Sequence, residues 1–115
     1  MIVGTVTTTV LRSDATPPGL GKYDTFVQCL KDKDAIFYGA FWCPHCQAQK
    51  KLFGSSAKLL PYVECSNASG NAQTQICIEK GITSYPTWEF ADDTRLNGEI
   101  SLAQLSEKTG CELPL

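Results

Sequence analysis

Two cysteines in the segment Cys43-Pro44-His45-Cys46 have the spacing needed for redox chemistry. Residues three positions apart lie one turn apart on a helix, where two thiols are close enough to form a disulfide. A continuous apolar run over residues 35–41 predicts a buried strand before the pair, and Pro44 suits the first position of a helix. Unpaired N–H groups and the helix dipole favour an anion at a helix start. The pattern therefore predicts thiol–disulfide exchange, with Cys43 as the attacking thiolate and the less exposed Cys46 as the resolving thiol.

His45 is the only histidine of the chain and stands between the two cysteines. An imidazole that carries charge or donates a hydrogen bond there would stabilise the Cys43 thiolate, and therefore the reduced form of the pair. The disulfide would then be a stronger oxidant. The alternative is that His45 is an exposed helix residue without a role.

A zinc site is the alternative interpretation of the cysteine pair. Zinc normally requires a second close cysteine pair, or histidines at matching spacing. Cys65 and Cys77 are too far apart in sequence to supply such a pair, and His45 lies inside the predicted turn. We therefore favour redox chemistry and expect no metal ligands.

Four further cysteines bring the total to six in 115 residues, which favours an oxidising compartment. Cys65 ends a predicted strand and Cys77 lies on the following predicted helix, so we expect a structural disulfide worth about 3 kcal/mol. A second redox pair that relays electrons to Cys43 and Cys46 is the alternative. Cys29 is expected to be a buried free thiol. Cys111 could pair with Cys29, form an intermolecular bridge or stay free.

The order of predicted elements is β-α-β-α-β-α-β-β-α, which indicates an α/β domain. Residues 1–21 are interpreted as an N-terminal extension, or an edge strand and linker, and residues 22–115 as one domain. Gly81 and Gly110 are predicted helix ends, and Ser101 is a predicted N-cap. The predicted strands cover residues 2–11, 35–41, 61–65, 87–90 and 94–96, and the predicted helices cover 22–33, 44–53, 72–80 and 102–108.

Composition limits the classes of function. The chain is 43% hydrophobic and 19% charged with a net charge of −2, as in a globular domain and unlike a basic nucleic-acid platform. No apolar run approaches the length that spans a bilayer, so no direct membrane insertion is expected. The first residues lack a signal-peptide pattern, so the chain is expected to be cytosolic or to have lost a targeting segment or a neighbouring domain.

Several segments together resemble the thioredoxin superfamily. More narrowly, they are similar to the thioredoxin-like domain that is paired with bacterial and plastid homologues of vitamin K epoxide reductase. The resemblance covers about residues 22–112 and implies a thioredoxin-like fold, with a central mixed four- to five-stranded sheet flanked by helices. The matching segments include Tyr38-Gly39-Ala40-Phe41-Trp42-Cys43-Pro44-His45-Cys46, Tyr62-Val63-Glu64-Cys65, Tyr85-Pro86-Thr87-Trp88 and Gly98-Glu99-Ile100.

The resemblance also implies a client-binding site around the cysteine pair. A cis Pro86 would place the Tyr85 backbone beside Cys43, where it could pair with an extended client strand. Trp42 would shield the pair and offer a flat surface to a partner. The expected catalytic residues are Cys43, Pro44, His45, Cys46 and Pro86, and the expected substrate-binding residues are Trp42, Tyr85 and Thr87.

The family implies a direction of electron flow. Client proteins with reduced thiols would pass electrons to the Cys43–Cys46 disulfide, and a quinone-linked membrane oxidoreductase would reoxidise the pair, with no cofactor bound to the domain. The expected compartment is the periplasm or the thylakoid lumen, and the family also carries a pair of the Cys65–Cys77 type. Typical thioredoxins have a buried aspartate where this chain has Phe37. This difference fits an oxidant with a potential above the roughly −270 mV of thioredoxin.

Two other functions remain open from the sequence. A thioredoxin- or glutaredoxin-like reductase or redox sensor would show a potential near that of thioredoxin. A non-catalytic binding module would keep its function without Cys43 or Cys46.

Overall fold

A computed structural model describes residues 21–115. The predicted edge strand over residues 2–11, and the linker as far as residue 20, lie outside the described residues. The described helices are α1 (Asp24–Asp32), α2 (Pro44–Lys51), α3 (Gln75–Glu79) and α4 (Leu102–Thr109), and a 3-10 segment spans Gly54–Leu59. The described strands are β1 (Ile36–Gly39), β2 (Tyr62–Glu64), β3 (Thr87–Glu89) and β4 (Arg95–Asn97).

The four strands form one mixed sheet in the order β2-β1-β3-β4. Strand β1 runs parallel to β2 and antiparallel to β3, and β4 pairs with β3 in the antiparallel sense. Helices flank this sheet, so the predicted α/β class and the thioredoxin-like architecture are confirmed.

The core is built around the central strand β1. Phe37 is fully buried and stacks on Trp88 of β3, with ring centroids 4.9 Å apart. From α1, the apolar face predicted by the helical spacing supplies the buried Phe26, Val27 and Leu30. Phe37 therefore contributes an aromatic ring to the core at the position where typical thioredoxins have a buried aspartate.

The two largest differences from the predicted helix boundaries have local causes. The predicted helix over residues 72–80 begins only at Gln75, because Gln73 forms a β-bridge with Ser66 and Thr74 is extended. The helix predicted over residues 44–53 ends at Lys51. Gly54 then takes a positive φ of 55°, which explains why the chain continues as a 3-10 segment rather than as the same helix.

The start and end of α4 follow the prediction. Ser101 caps the helix by accepting a hydrogen bond from the Gln104 N–H, and the Gln104 side chain returns a bond to the Ser101 backbone. Gly110 ends the helix in the left-handed conformation. The capping residue Ser101 and the glycine Gly110 therefore determine where α4 begins and ends.

The structure corrects the expectation for Cys29, which is not a free thiol. It forms a disulfide with Cys111, 82 residues away, and this bond ties the segment after α4 to α1. The Cys65–Cys77 disulfide is present as predicted. Among residues 21–115, no helix has the length and apolar character needed to cross a membrane.

Candidate active site

The cysteine pair lies where the central strand turns into α2. Strand β1 ends at Gly39, and the Cys43 N–H closes a turn by donating to the Ala40 carbonyl. Cys43 is the N-cap of α2 with an extended backbone, and Pro44 occupies the first turn as predicted. Cys43 is 7% exposed and Cys46 is completely buried, and both are free thiols. The expected difference in accessibility between the two sulfurs is therefore present.

Burial dominates the chemistry of Cys46. Because the thiolate would lose its hydration, burial raises the pKa of the Cys46 thiol to about 12, although a backbone hydrogen bond at Ala40 and the charge of Lys50 act in the opposite direction. Cys46 thus stays protonated in the reduced protein at neutral pH. It can attack a mixed disulfide only when its proton is removed during that step.

Gly39 makes room for the buried sulfur. A Cβ atom at this position would lie 2.9 Å from Cys46 Sγ and 3.0 Å from the Tyr62 ring. The backbone of β1 can approach the thiol this closely only because residue 39 has no side chain. Sequence analysis included Gly39 in a matching segment without assigning it this role.

The loop that contains Tyr85 and Pro86 contacts Cys43. The Tyr85–Pro86 peptide bond is cis, and the Tyr85 carbonyl oxygen lies 3.8 Å from Cys43 Sγ. The expected placement of this backbone beside Cys43 is therefore present. Thr87 is 2% exposed, and its hydroxyl is held by the Ser84 carbonyl and the Asn97 side chain. Its side chain braces the loop, and its backbone lies in β3 between the paired strands β1 and β4.

His45 does not form the hydrogen bond to Cys43 that the sequence suggested. Its Nδ1 atom lies 2.7 Å from a Glu99 carboxylate oxygen, and both side chains are substantially exposed. The sulfur of Cys43 contacts the Tyr85 carbonyl instead. Any influence of His45 on the thiol pair must therefore act through charge at a distance, and Glu99 is its immediate partner.

Gln49 holds the Glu99 segment in place. Its buried side-chain amide donates to the Ile100 carbonyl at 2.9 Å and accepts from the Ile100 N–H at 2.7 Å. This reciprocal pair joins α2 to the chain just before α4. Sequence reasoning missed this residue. Its position one turn after Cys46, on the same face of α2, was the available signal.

Glu64 organises the backbone that leads into the cysteine pair. One carboxylate oxygen accepts hydrogen bonds from the Phe41 and Ser66 N–H groups, each at 3.0 Å. The other oxygen accepts from the Tyr62 hydroxyl at 2.8 Å, and burial together with this carboxylate raises the pKa of Tyr62. Sequence analysis did not predict this role for a carboxylate on an edge strand.

Two aromatic side chains next to Cys43 are open to solvent. Phe41 and Trp42 are each 47% exposed, and the Trp42 ring meets the Tyr85 ring edge-on with centroids 6.0 Å apart. The two rings therefore form an exposed apolar surface next to Cys43. Within the described part of the chain, no three His, Cys, Asp or Glu side chains are grouped so as to hold a metal ion.

The fold and the buried cysteine pair define a thioredoxin-like domain with a candidate dithiol centre. No protein-family model matches the chain. In an alignment of 88 positions that covers 73% of this chain, it is 47% identical to the thiol-disulfide oxidoreductase LTO1 of Arabidopsis thaliana. The chain spans only 23% of the length of that relative. This similarity supports the assignment of the domain as a thioredoxin-like oxidoreductase.

Proposed function

We propose that this domain is a thiol–disulfide oxidoreductase that oxidises client protein thiols through a Cys43–Cys46 disulfide. The observation that carries the proposal is the unequal placement of two free thiols on one helical turn. Cys43 caps α2 and keeps 7% of its surface exposed, whereas Cys46 is completely buried behind it. An attacking sulfur that a client can reach and a shielded resolving sulfur are the two parts that dithiol exchange requires.

The reaction is a two-electron exchange. A client thiolate attacks the Cys43 sulfur of the oxidised domain, the Cys43–Cys46 bond breaks, and a mixed disulfide with Cys43 forms. A second client thiolate then attacks the client sulfur of this mixed disulfide and releases Cys43 as a thiolate. The client leaves with a disulfide, and the domain keeps two electrons and two protons as the reduced pair.

The surface beside Cys43 suits an extended client segment. The Tyr85 carbonyl faces the Cys43 sulfur, and the exposed rings of Phe41 and Trp42 border it. Backbone pairing at Tyr85 would hold a client strand without dependence on its sequence. Trp42 and Tyr85 are the residues we assign to direct client contact, and Thr87 supports them by holding the loop through its hydroxyl.

Reoxidation requires an electron acceptor outside this domain. We assign that role to a quinone-linked membrane oxidoreductase of the vitamin K epoxide reductase type, as the sequence resemblance implies. The disulfides Cys29–Cys111 and Cys65–Cys77 are consistent with an oxidising compartment, for which we propose the periplasm or the thylakoid lumen.

Trapping of mixed disulfides tests the assignment of the two sulfurs. The Cys46→Ser variant should accumulate a mixed disulfide with a client protein that already carries a disulfide, because Cys43 attacks that disulfide and no resolving thiol releases the adduct. The matched Cys43→Ser variant should accumulate far less, because its remaining thiol is buried. Non-reducing electrophoresis after acid quenching measures both adducts. Equal trapping by the two variants would contradict the assigned order.

A redox titration tests the direction of transfer. Equilibration of the pair with glutathione buffers should give a potential above the roughly −270 mV of thioredoxin if the domain is an oxidant. A potential at or below that value would instead favour a reductase. Client binding that persists in both single-cysteine variants, with no client oxidation by the wild type, would favour a binding module.

A further inference from the structure

The loop enclosed by the Cys65–Cys77 disulfide contacts Trp42 and Tyr85, two aromatic residues that lie beside Cys43. We propose that Ser66 and Gln73 of this loop are positioning residues that fix Trp42 and Tyr85 for client binding. This inference rests on the proposed function and deepens it. The loop acts on docking of the protein substrate and leaves the chemistry of the sulfur pair unchanged.

The first contacts are with Trp42. The Trp42 indole N–H donates to the Ser66 hydroxyl at 2.9 Å, and Ser66 in turn donates to the Asn67 carbonyl. Gly70 lies against the same ring, since a Cβ at that position would be 3.4 Å from it. A half-exposed indole would otherwise sample several rotamers, and these contacts select one.

The second set of contacts is with Tyr85. The Gln73 side-chain amide donates to the Tyr85 hydroxyl at 2.9 Å and to the Ile82 carbonyl at 2.7 Å. Tyr85 is the residue whose carbonyl faces the Cys43 sulfur. Gln73 therefore fixes the outer end of the side chain whose backbone we assign to client pairing.

The loop has internal connections that make it a firm support. Ser66 and Gln73 form a β-bridge, so the two positioning residues face each other across the loop. The Asn67 side chain accepts from the Asn71 and Ala72 N–H groups, and the Cys65–Cys77 disulfide closes the base. The disulfide thus restricts the conformations of the loop that carries Ser66 and Gln73.

The side chains of Ser66 and Gln73 bond to Trp42, Tyr85 and nearby backbone carbonyls, whereas the sulfur of Cys43 contacts the Tyr85 carbonyl. Loss of one loop contact should therefore weaken the binding of a large client that uses these aromatic side chains. A small dithiol reaches the Cys43–Cys46 disulfide without them. This difference separates a positioning role from a general structural one.

The test compares Ser66→Ala with Ser69→Ala. Ser69 carries the same side chain in the same loop, but it bonds only to the exposed Asn71 side chain. Single-turnover reactions of the oxidised domain with reduced, unfolded ribonuclease A separate the half-saturating concentration from the limiting rate. For Ser66→Ala the half-saturating concentration should rise about threefold to tenfold, the loss expected for one hydrogen bond. The limiting rate, the rate with dithiothreitol and the Cys43–Cys46 potential should stay at wild-type values.

Two results would overturn the inference, and a third would overturn the proposed function on which it rests. Equal half-saturating concentrations for the two serine variants would remove the role of Ser66. A parallel loss of the dithiothreitol rate would place the effect on the sulfur pair instead of on docking. A wild-type protein that oxidises neither substrate would overturn the proposed function itself. An active wild-type protein with an unaffected Ser66→Ala variant would overturn the positioning role alone.

A double Cys65→Ala, Cys77→Ala variant tests the contribution of the disulfide. If it retains the far-ultraviolet circular dichroism of the wild type, its half-saturating concentration should rise at least as much as that of Ser66→Ala. An unchanged value in the folded variant would overturn the supporting role of the disulfide. If the variant does not fold, the serine comparison decides the proposal.

Discussion

At the scale of single residues, the buried thiol of Cys46 links the stability of the reduced protein to pH. Burial raises the pKa of Cys46 to about 12, whereas a cysteine in an unfolded chain loses its proton near pH 8.5, roughly the value of a free cysteine. Between these values the folded state holds the proton and the unfolded state has lost it. Unfolding therefore releases a proton, and the free energy of unfolding falls as the pH rises.

We expect the reduced protein to be less stable at about pH 10 than at about pH 8. The oxidised protein lacks this contribution, because Cys46 in a disulfide has no proton to lose. Urea unfolding of both redox forms at both pH values measures the difference. Burial, the main cause of the raised pKa of Tyr62, is common to both forms, so the comparison removes most of the tyrosine contribution. An equal loss of stability in the two forms would contradict the assignment to Cys46.

His45 is the second residue with a testable influence on the sulfur pair. Its ring is bonded to Glu99 and is 68% exposed, so any effect on Cys43 is screened by solvent. We expect His45→Ala to lower the reduction potential by at most roughly 30 mV, because the Glu99 carboxylate loses its partner and its negative charge disfavours the reduced thiolate form. Glutathione equilibration of each variant gives the potential.

Lys51→Ala is the matched control for His45. It removes an exposed cation from the last turn of the same helix, farther along the chain from Cys43. We expect it to leave the potential nearly unchanged. A shift as large as that of His45→Ala would indicate a general effect of surface charge and would contradict a specific role for the histidine.

At the scale of elements, Gln49 joins α2 to the segment before α4. Its buried amide satisfies both the N–H and the carbonyl of Ile100. In Gln49→Leu, both backbone groups lose their partner in a place that water does not reach. We expect a loss of about 2–4 kcal/mol in the free energy of unfolding, measured by urea denaturation.

Gln47→Leu is the control on the same helix. The Gln47 side chain is exposed and makes one hydrogen bond to the Phe41 carbonyl, which water can replace. Its cost should stay below about 1 kcal/mol. A similar loss of unfolding free energy in the two variants would show that the buried Gln49–Ile100 hydrogen bonds stabilise the protein no more than an exposed hydrogen bond does.

The elements also show what the sequence could and could not predict. Periodicity and local caps predicted the apolar face of α1, the strand before the cysteine pair and both ends of α4, because these depend on neighbouring residues. The Gln49–Ile100 pair and the His45–Glu99 pair join residues about 50 positions apart. No local pattern specifies such partners. The roles of Gln49 and Glu99 therefore became visible only when the fold brought these segments together.

The same limit explains the error at Cys29. Its position beside the apolar face of α1 fitted a buried free thiol equally well. Only the packing of the segment after α4 against α1 brings Cys111 within bonding distance. By contrast, Cys65 and Cys77 lie 12 positions apart, on a strand end and the next helix, so their pairing could be inferred from local order.

At the scale of the whole molecule, the two structural disulfides constrain the chain very differently. Cys29–Cys111 closes a loop of 82 residues that contains the entire sheet, whereas Cys65–Cys77 closes one of 12. The chain-entropy relation gives about 4–5 kcal/mol for the long loop and about 3 kcal/mol for the short one. The long-range disulfide should therefore be the main covalent contribution to global stability, and the short one should act chiefly on the loop beside Trp42.

Paired alanine variants test this division. We expect Cys29→Ala, Cys111→Ala to lower the free energy of unfolding more than Cys65→Ala, Cys77→Ala, in urea denaturation with the Cys43–Cys46 pair kept oxidised in both. Client kinetics should show the reverse order, because the Cys65–Cys77 loop carries the contacts to Trp42 and Tyr85. If the short-loop variant lost more stability than the long-loop variant, loop entropy would not be the dominant effect. Strong impairment of client binding in the long-loop variant alone would place the docking support in the packing of α1 against the C-terminal segment.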